Sequence, residues 1–126
     1  MYHCKSCGKE CEYSVRKKNL FCSIKCQRDN DYKEYINQWL AGQIKGGQNS
    51  TYKVSGYVRR YVYEKQNHKC AKCGINEWNG ERIVLEIDHI SGNNTDHSES
   101  NLQALCPNCH SQTPTYKARN IKKMPL

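Results

Sequence analysis

The chain has 126 residues and a formal net charge of +8, from 20 Lys and Arg against 12 Asp and Glu. Only 37% of its residues are hydrophobic and its mean hydropathy is −0.96, so it has little material for a core, and small units of this kind need a staple. No apolar run approaches the roughly 18 residues that span a bilayer, which excludes a transmembrane role; the basic balance is by itself only a modest argument for nucleic acid, and the placement of the charge matters more.

The nine cysteines are an odd number and fall in close pairs, a usage that suits metal binding better than disulfides. The first residues, MYHCKSCGKE, lack the apolar stretch of a signal peptide, so a cytoplasmic location is expected. Cys4 and Cys7 are separated by two residues and followed by Gly8, and Cys22 and Cys26 come next. We expect these four to hold a structural Zn²⁺. Cys11 is left over, either as a substitute for one of the four or as a small buried side chain, and His3 reads as a bystander. Residues 1–30 thus form a first zinc module, with Arg16, Lys17 and Lys18 as a loop tip or a phosphate contact.

In DYKEYINQWLAG, Tyr32, Tyr35, Ile36, Trp39 and Leu40 recur at helical spacing. Asp31 and Glu34 resemble a capping box, and Gly42 is a stop signal. The stretch GQIKGGQNSTYKVSG reads as a linker, so residues 31–56 are taken as an amphipathic helix followed by a flexible connection. A second helix is expected from Tyr57 to Gln66, capped by Ser55, with Val58, Tyr61 and Val62 inward and Arg59 able to reach a phosphate. Residues 57–126 form the third and largest unit.

Cys70 and Cys73, with Gly74, repeat the pattern of the N-terminus, and Cys106 and Cys109 repeat its two-residue spacing. Together they make a closed Cys4 shell, which is structural because no coordination position is left for substrate. Eight thiolates on two Zn²⁺ ions would lower the net charge to about +4. Between the pairs, Trp78 and Gly80 sit in a turn and RIVLEI starts a strand with Ile83, Leu85 and Ile87 on one face. The strand closes on Asp88 and His89. The polar loop SGNNTDHSES follows, with His97 read as solvated. Asn101 to Leu105 returns as a second strand, and the second pair leads into a helix that carries His110 and ends near Pro114.

The string IDHISGNN…NLQALCPNCH, with CxxCG and Trp78 ahead of it, resembles the HNH family, the ββα-metal endonucleases. FCSIKC and INQWLAG are similar to small standalone HNH proteins common in phages. The resemblance covers about residues 57–126. It implies an α+β, zinc-stapled architecture: a ββα-metal, treble-clef-like nuclease domain preceded by a small Cys4 module and a short helix. It also implies a metal-dependent endonuclease on double-stranded DNA. Asp88 offers a hard oxygen and His110 a nitrogen to a catalytic Mg²⁺ or Mn²⁺. His89, on the opposite strand face, serves as general base. Asn101 holds the loop and orients the base. Some relatives carry a further metal-binding His where this chain has Pro114, which puts a three-His metal site in doubt.

Phosphate contacts are expected from Arg59 and, in the basic tail, from Lys117 and Arg119. A single centre nicks one strand, so cutting both requires a homodimer or two visits. Two other readings remain open at this stage: a non-catalytic zinc-finger module that binds DNA or a protein, and a nuclease acting on RNA.

Overall fold

The same tight turn opens both halves of the chain. In the first, the Gly8 N–H donates to the Cys4 carbonyl at 2.9 Å; in the second, Gly74 does so to Cys70 at 3.0 Å. Both glycines sit at positive φ, 79° and 77°, a conformation that other residues adopt only at a cost. The structure is a computed structural model that describes residues 1–16, 18–47, 53–114 and 116. Strands β1 (Tyr2–His3) and β2 (Glu10–Cys11) pair antiparallel around the first turn.

Helix α1 (Ile24–Leu40) begins earlier than the expected start at Asp31. The Ser23 hydroxyl accepts from the Cys26 N–H at 3.1 Å, so the cap lies inside the cysteine pair and Asp31 falls on an exposed mid-helix face. Ile36 and Trp39 are the buried residues of α1. The glycine-rich stretch after it is not a loose linker where it is described. Gly47 bridges Val54, the Ser55 N–H donates to the Gly46 carbonyl at 2.7 Å, and Val54 is buried.

Helix α2 (Gly56–Lys65) is capped by Ser55, whose hydroxyl accepts from the Val58 N–H at 3.2 Å. Strands β3 (Glu77–Trp78) and β4 (Glu81–Arg82) form a hairpin. Its loop residues Asn79 and Gly80 have φ of 53° and 77°, as a two-residue primed turn requires. Strand β5 (Glu86–His89) starts later than RIVLEI suggests. Ile83 to Leu85 lie between the two hairpins, and the Leu85 carbonyl is taken by the Tyr63 hydroxyl at 2.7 Å rather than by a strand. A 3-10 turn (Glu99–Asn101) leads into β6 (Leu102–Leu105), and α3 (Pro107–Ser111) follows. β5 and β6 are antiparallel, with Asp88 opposite Gln103 and His89 opposite Leu102.

The result is a small α+β fold in which α2 packs between α1 and β6, while α3 lies against β5 and β6. Val58, Val62, Leu85, Leu102, Ala104 and Leu105 are the centre of its thin core. The backbone of Ala104 is bonded by a side chain: Gln66 accepts from its N–H at 2.8 Å and donates to its carbonyl at 2.9 Å. Among the described residues, no buried side-chain nitrogen or oxygen lacks a partner, and no helix is long and apolar enough to cross a membrane.

Trp39 joins the first helix to the rest. Its ring meets Tyr61 edge-on at 5.4 Å, and its indole N–H donates to the buried carbonyl of His97 at 2.8 Å. A Cβ at Gly46 would lie 2.9 Å from the same indole nitrogen. Trp39→Phe keeps the apolar bulk but removes the indole N–H that donates to that buried carbonyl. It is expected to destabilise the chain by about 1–3 kcal/mol, read as a lowered urea midpoint.

Candidate metal centres and catalytic site

Two sets of four thiols come together: Cys4, Cys7, Cys22 and Cys26, and Cys70, Cys73, Cys106 and Cys109. These are the two sets expected from spacing. Sulfur–sulfur distances are 3.7 Å for Cys7 and Cys22, 3.5 Å for Cys22 and Cys26, and 3.8 Å for Cys73 and Cys106. A disulfide needs about 2.05 Å, whereas a tetrahedron with metal–sulfur bonds of about 2.3 Å has edges of about 3.8 Å. Each cluster could therefore hold a metal ion. Cys11 stays outside, with its thiol 3.4 Å from the Lys9 carbonyl, and His3 is exposed.

The backbone prepares the first thiolate of each cluster. The N–H of Cys7, helped by those of Cys22 and Ser6, lowers the Cys4 thiol to about 6 against the effect of burial. At Cys70 burial opposes ionisation most, yet the N–H groups of Cys73, Cys106 and Lys72 bring it to about 6. Cys22 moves the other way, up to about 12, because Cys26 and Cys7 crowd it. Burial and then the Cys106 and Cys73 thiols do the same to Cys109, also to about 12. A multivalent cation is what allows four such neighbours to ionise together.

The second cluster sits directly beside the candidate catalytic residues. Cys106 follows β6 and caps α3, where its sulfur accepts from the Cys109 N–H at 3.4 Å. His110 comes next on that helix and meets the face of β5 that carries Glu86 and Asp88. His110 Nδ1 is 2.8 Å from Glu86 Oε1, and its Nε2 is 3.7 Å from Asp88 Oδ1. Two ligand atoms bound to one ion at about 2.1 Å lie roughly 3.0–4.2 Å apart, so Asp88 and His110 fit a shared divalent cation. Glu86 fixes the tautomer: Nδ1–H donates to it, and the Nε2 lone pair is left toward Asp88. Asp88 is buried, and its other oxygen accepts from Gln103 Nε2 at 2.9 Å. Tyr116 meets the His110 ring edge-on at 5.2 Å.

His89 is half-buried at the end of β5, on the other strand face. Burial, and secondarily the neighbouring His97, lowers its pKa below the usual imidazole value, while Asp88 and Asp96 act in the opposite sense. His97 is not solvated as expected; it is buried, and its Nδ1 lies 2.9 Å from His89 Nε2. Asn101 is also buried. Its side chain accepts from the Ser91 N–H at 2.9 Å and donates to the Asp96 carbonyl at 2.9 Å. Those bonds clamp the loop after β5; the ring that contacts His89 belongs to His97.

Arg59 is exposed and lines a groove of about 590 Å³ together with Lys53, Tyr63, Glu86 and His89. Lys117 and Arg119 lie outside the described residues. Sequence reasoning missed Glu86, Gln103 and His97. Glu86 was readable, since it stands two residues before Asp88 and therefore shares its strand face. Gln103 becomes visible only with the strand register, and nothing in the polar loop marks His97.

Residues 70–114 match the family model for the HNH endonuclease. The chain is similar to the H-N-H endonuclease F-TflIV of Escherichia phage T5, with 37% identity over 95 residues, which is 75% of this chain and 39% of that protein. The chain thus corresponds to well under half the length of this relative. No solved structure matches it significantly. For the second cluster, Cys106→Ser is expected to halve the tightly bound metal per chain and to lower the melting temperature. Elemental analysis of purified protein, with thermal unfolding, checks this.

Proposed function

The chain belongs to the HNH endonuclease family through residues 70–114, and from that premise we propose that it is a metal-dependent DNA endonuclease. The observation that carries the reading is the position of His110, held between Glu86 and Asp88 while His89 stands on the opposite face of the same strand. Asp88 and His110 would hold a Mg²⁺ or Mn²⁺ ion. Once bound, that ion supplies positive charge to the phosphate and to the leaving oxygen.

The chain's own residues then do the following work. The His89 ring takes a proton from a water molecule. The hydroxide forms a new bond to phosphorus, the bond from phosphorus to the sugar oxygen breaks, and that oxygen takes a proton from solvent. The lowered His89 pKa keeps the ring neutral, and so able to accept, near neutral pH. Glu86 and Gln103 orient the ion's ligands. Asn101 holds the loop behind the base. Arg59 lies in the same groove as His89, where it can bind the phosphate backbone of double-stranded DNA, and Lys117 and Arg119 add to that contact. The thiol clusters would hold Zn²⁺: the sulfur spacing suits it, and closed Cys4 shells are structural.

Supercoiled plasmid with Mg²⁺ or Mn²⁺, with and without EDTA, tests the reading. Wild type is expected to nick in either metal, and His89→Ala to do so about 10²–10⁴-fold more slowly at unchanged zinc content. Binding without nicking under every divalent ion would overturn the enzymatic reading. Glu86→Gln is expected to weaken Mn²⁺ binding about 10–100-fold, read from the free-ion signal in electron paramagnetic resonance.

A further inference from the structure

His89 needs more than exposure to act as a base. A neutral imidazole has one N–H and one lone pair, and only the lone pair takes a proton. Which nitrogen carries it is set by the partner of the other. For His110 that partner is Glu86. For His89 the nitrogen Nε2 is 2.9 Å from His97 Nδ1, with the two rings tilted by 48°.

The placement of His97 is tightly specified. Its carbonyl accepts from the Trp39 indole at 2.8 Å. The preceding Asp96 carbonyl is bonded by Asn101, and the Asp96 carboxylate accepts from the Ser98 N–H at 3.1 Å. A loop of polar residues has thus turned one imidazole inward, onto the ring at the end of β5. Burying such a ring is unfavourable unless its nitrogens are bonded.

We propose that His97 is a positioning residue for His89: its Nδ1 accepts from the His89 Nε2–H, which leaves the His89 Nδ1 lone pair to take the proton of the attacking water. This inference rests on the reading of His89 as general base. The opposite arrangement, with His97 donating, would put the His89 proton on Nδ1 and leave the ring with no lone pair to offer. In the arrangement proposed, the His89 imidazolium formed after proton transfer still donates to His97, through a bond strengthened by its charge. The loop between β5 and β6 thereby does for the base what Glu86 does for the metal ligand.

The test uses the full chain with its zinc bound. Long-range ¹H–¹⁵N correlation on histidine-labelled protein, with His89→Ala for assignment, reads which His89 nitrogen bears the hydrogen. The expected result is Nε2; hydrogen on Nδ1 would overturn the proposal without any appeal to activity. In plasmid cleavage, His97→Leu is expected to lower kcat about 10–100-fold, with KM within about threefold. His97→Asn, which can still present an acceptor oxygen, is expected to recover most of that loss. A folded His97→Leu that cleaves like wild type, beside an inactive His89→Ala, sinks the role of His97 alone. If His89→Ala itself cleaves like wild type, the base assignment fails with it. Should His97→Leu not fold, the wild-type spectrum decides.

Discussion

The four sulfurs of Cys70, Cys73, Cys106 and Cys109 are the constraint on which the half of the molecule that carries Asp88, His89 and His110 depends. Cys106 follows the last residue of β6 and caps α3, and Cys109 precedes His110. A cluster that brings these sulfurs together also fixes the angle between the hairpin and the helix. That angle puts the His110 ring against Asp88 and Glu86. A five-residue helix cannot be held by its own hydrogen bonds. The apolar core behind it is small, with Leu105 and Val58 its largest fully buried side chains. Metal binding worth roughly 10–16 kcal/mol in small fingers exceeds what such a core contributes.

The two imidazoles of this site have different partners. His110 has a carboxylate at Nδ1, which favours the N–H there and leaves the Nε2 lone pair toward Asp88. His89 has another imidazole at Nε2 and partial burial, which favour neutrality. Strand geometry keeps the carboxylate and the imidazole of β5 apart. Asp88 and His89 are neighbours in sequence, so β5 sends one to the α3 side and the other to the loop side. In the proposed reading, one short strand would thus present a carboxylate to a cation on one face and an imidazole to water on the other.

The N-terminal module is tied to this site by more than a chain connection. Helix α1 starts at a cysteine pair and carries Trp39 in its last turn, where the indole donates to the carbonyl of His97. Tyr61 joins the same junction from α2: its ring packs on Trp39 and its hydroxyl donates to Glu99, at the start of the 3-10 turn that leads to Asn101.

The cysteine pairs were legible in the sequence, and the structure assembles both sets as their spacing requires. Thiols two residues apart must share a turn, so local geometry alone defines half of each cluster. The cap at Ser55 and the closing positions of β5 were legible for the same reason: they depend on neighbours a few residues away. The start of α1 was not. Asp31 and Glu34 carry a valid capping pattern, but Ser23 caps first, inside the cysteine pair. Only tertiary structure decided that His97, within a stretch as polar as any on the surface, is buried against His89. It likewise decided that Gln103 faces Asp88 and that Glu86 faces His110. Composition reports how a segment behaves in water, whereas these contacts arise from strand register and from a long-range bond between Trp39 and the loop, and neither leaves a local signature.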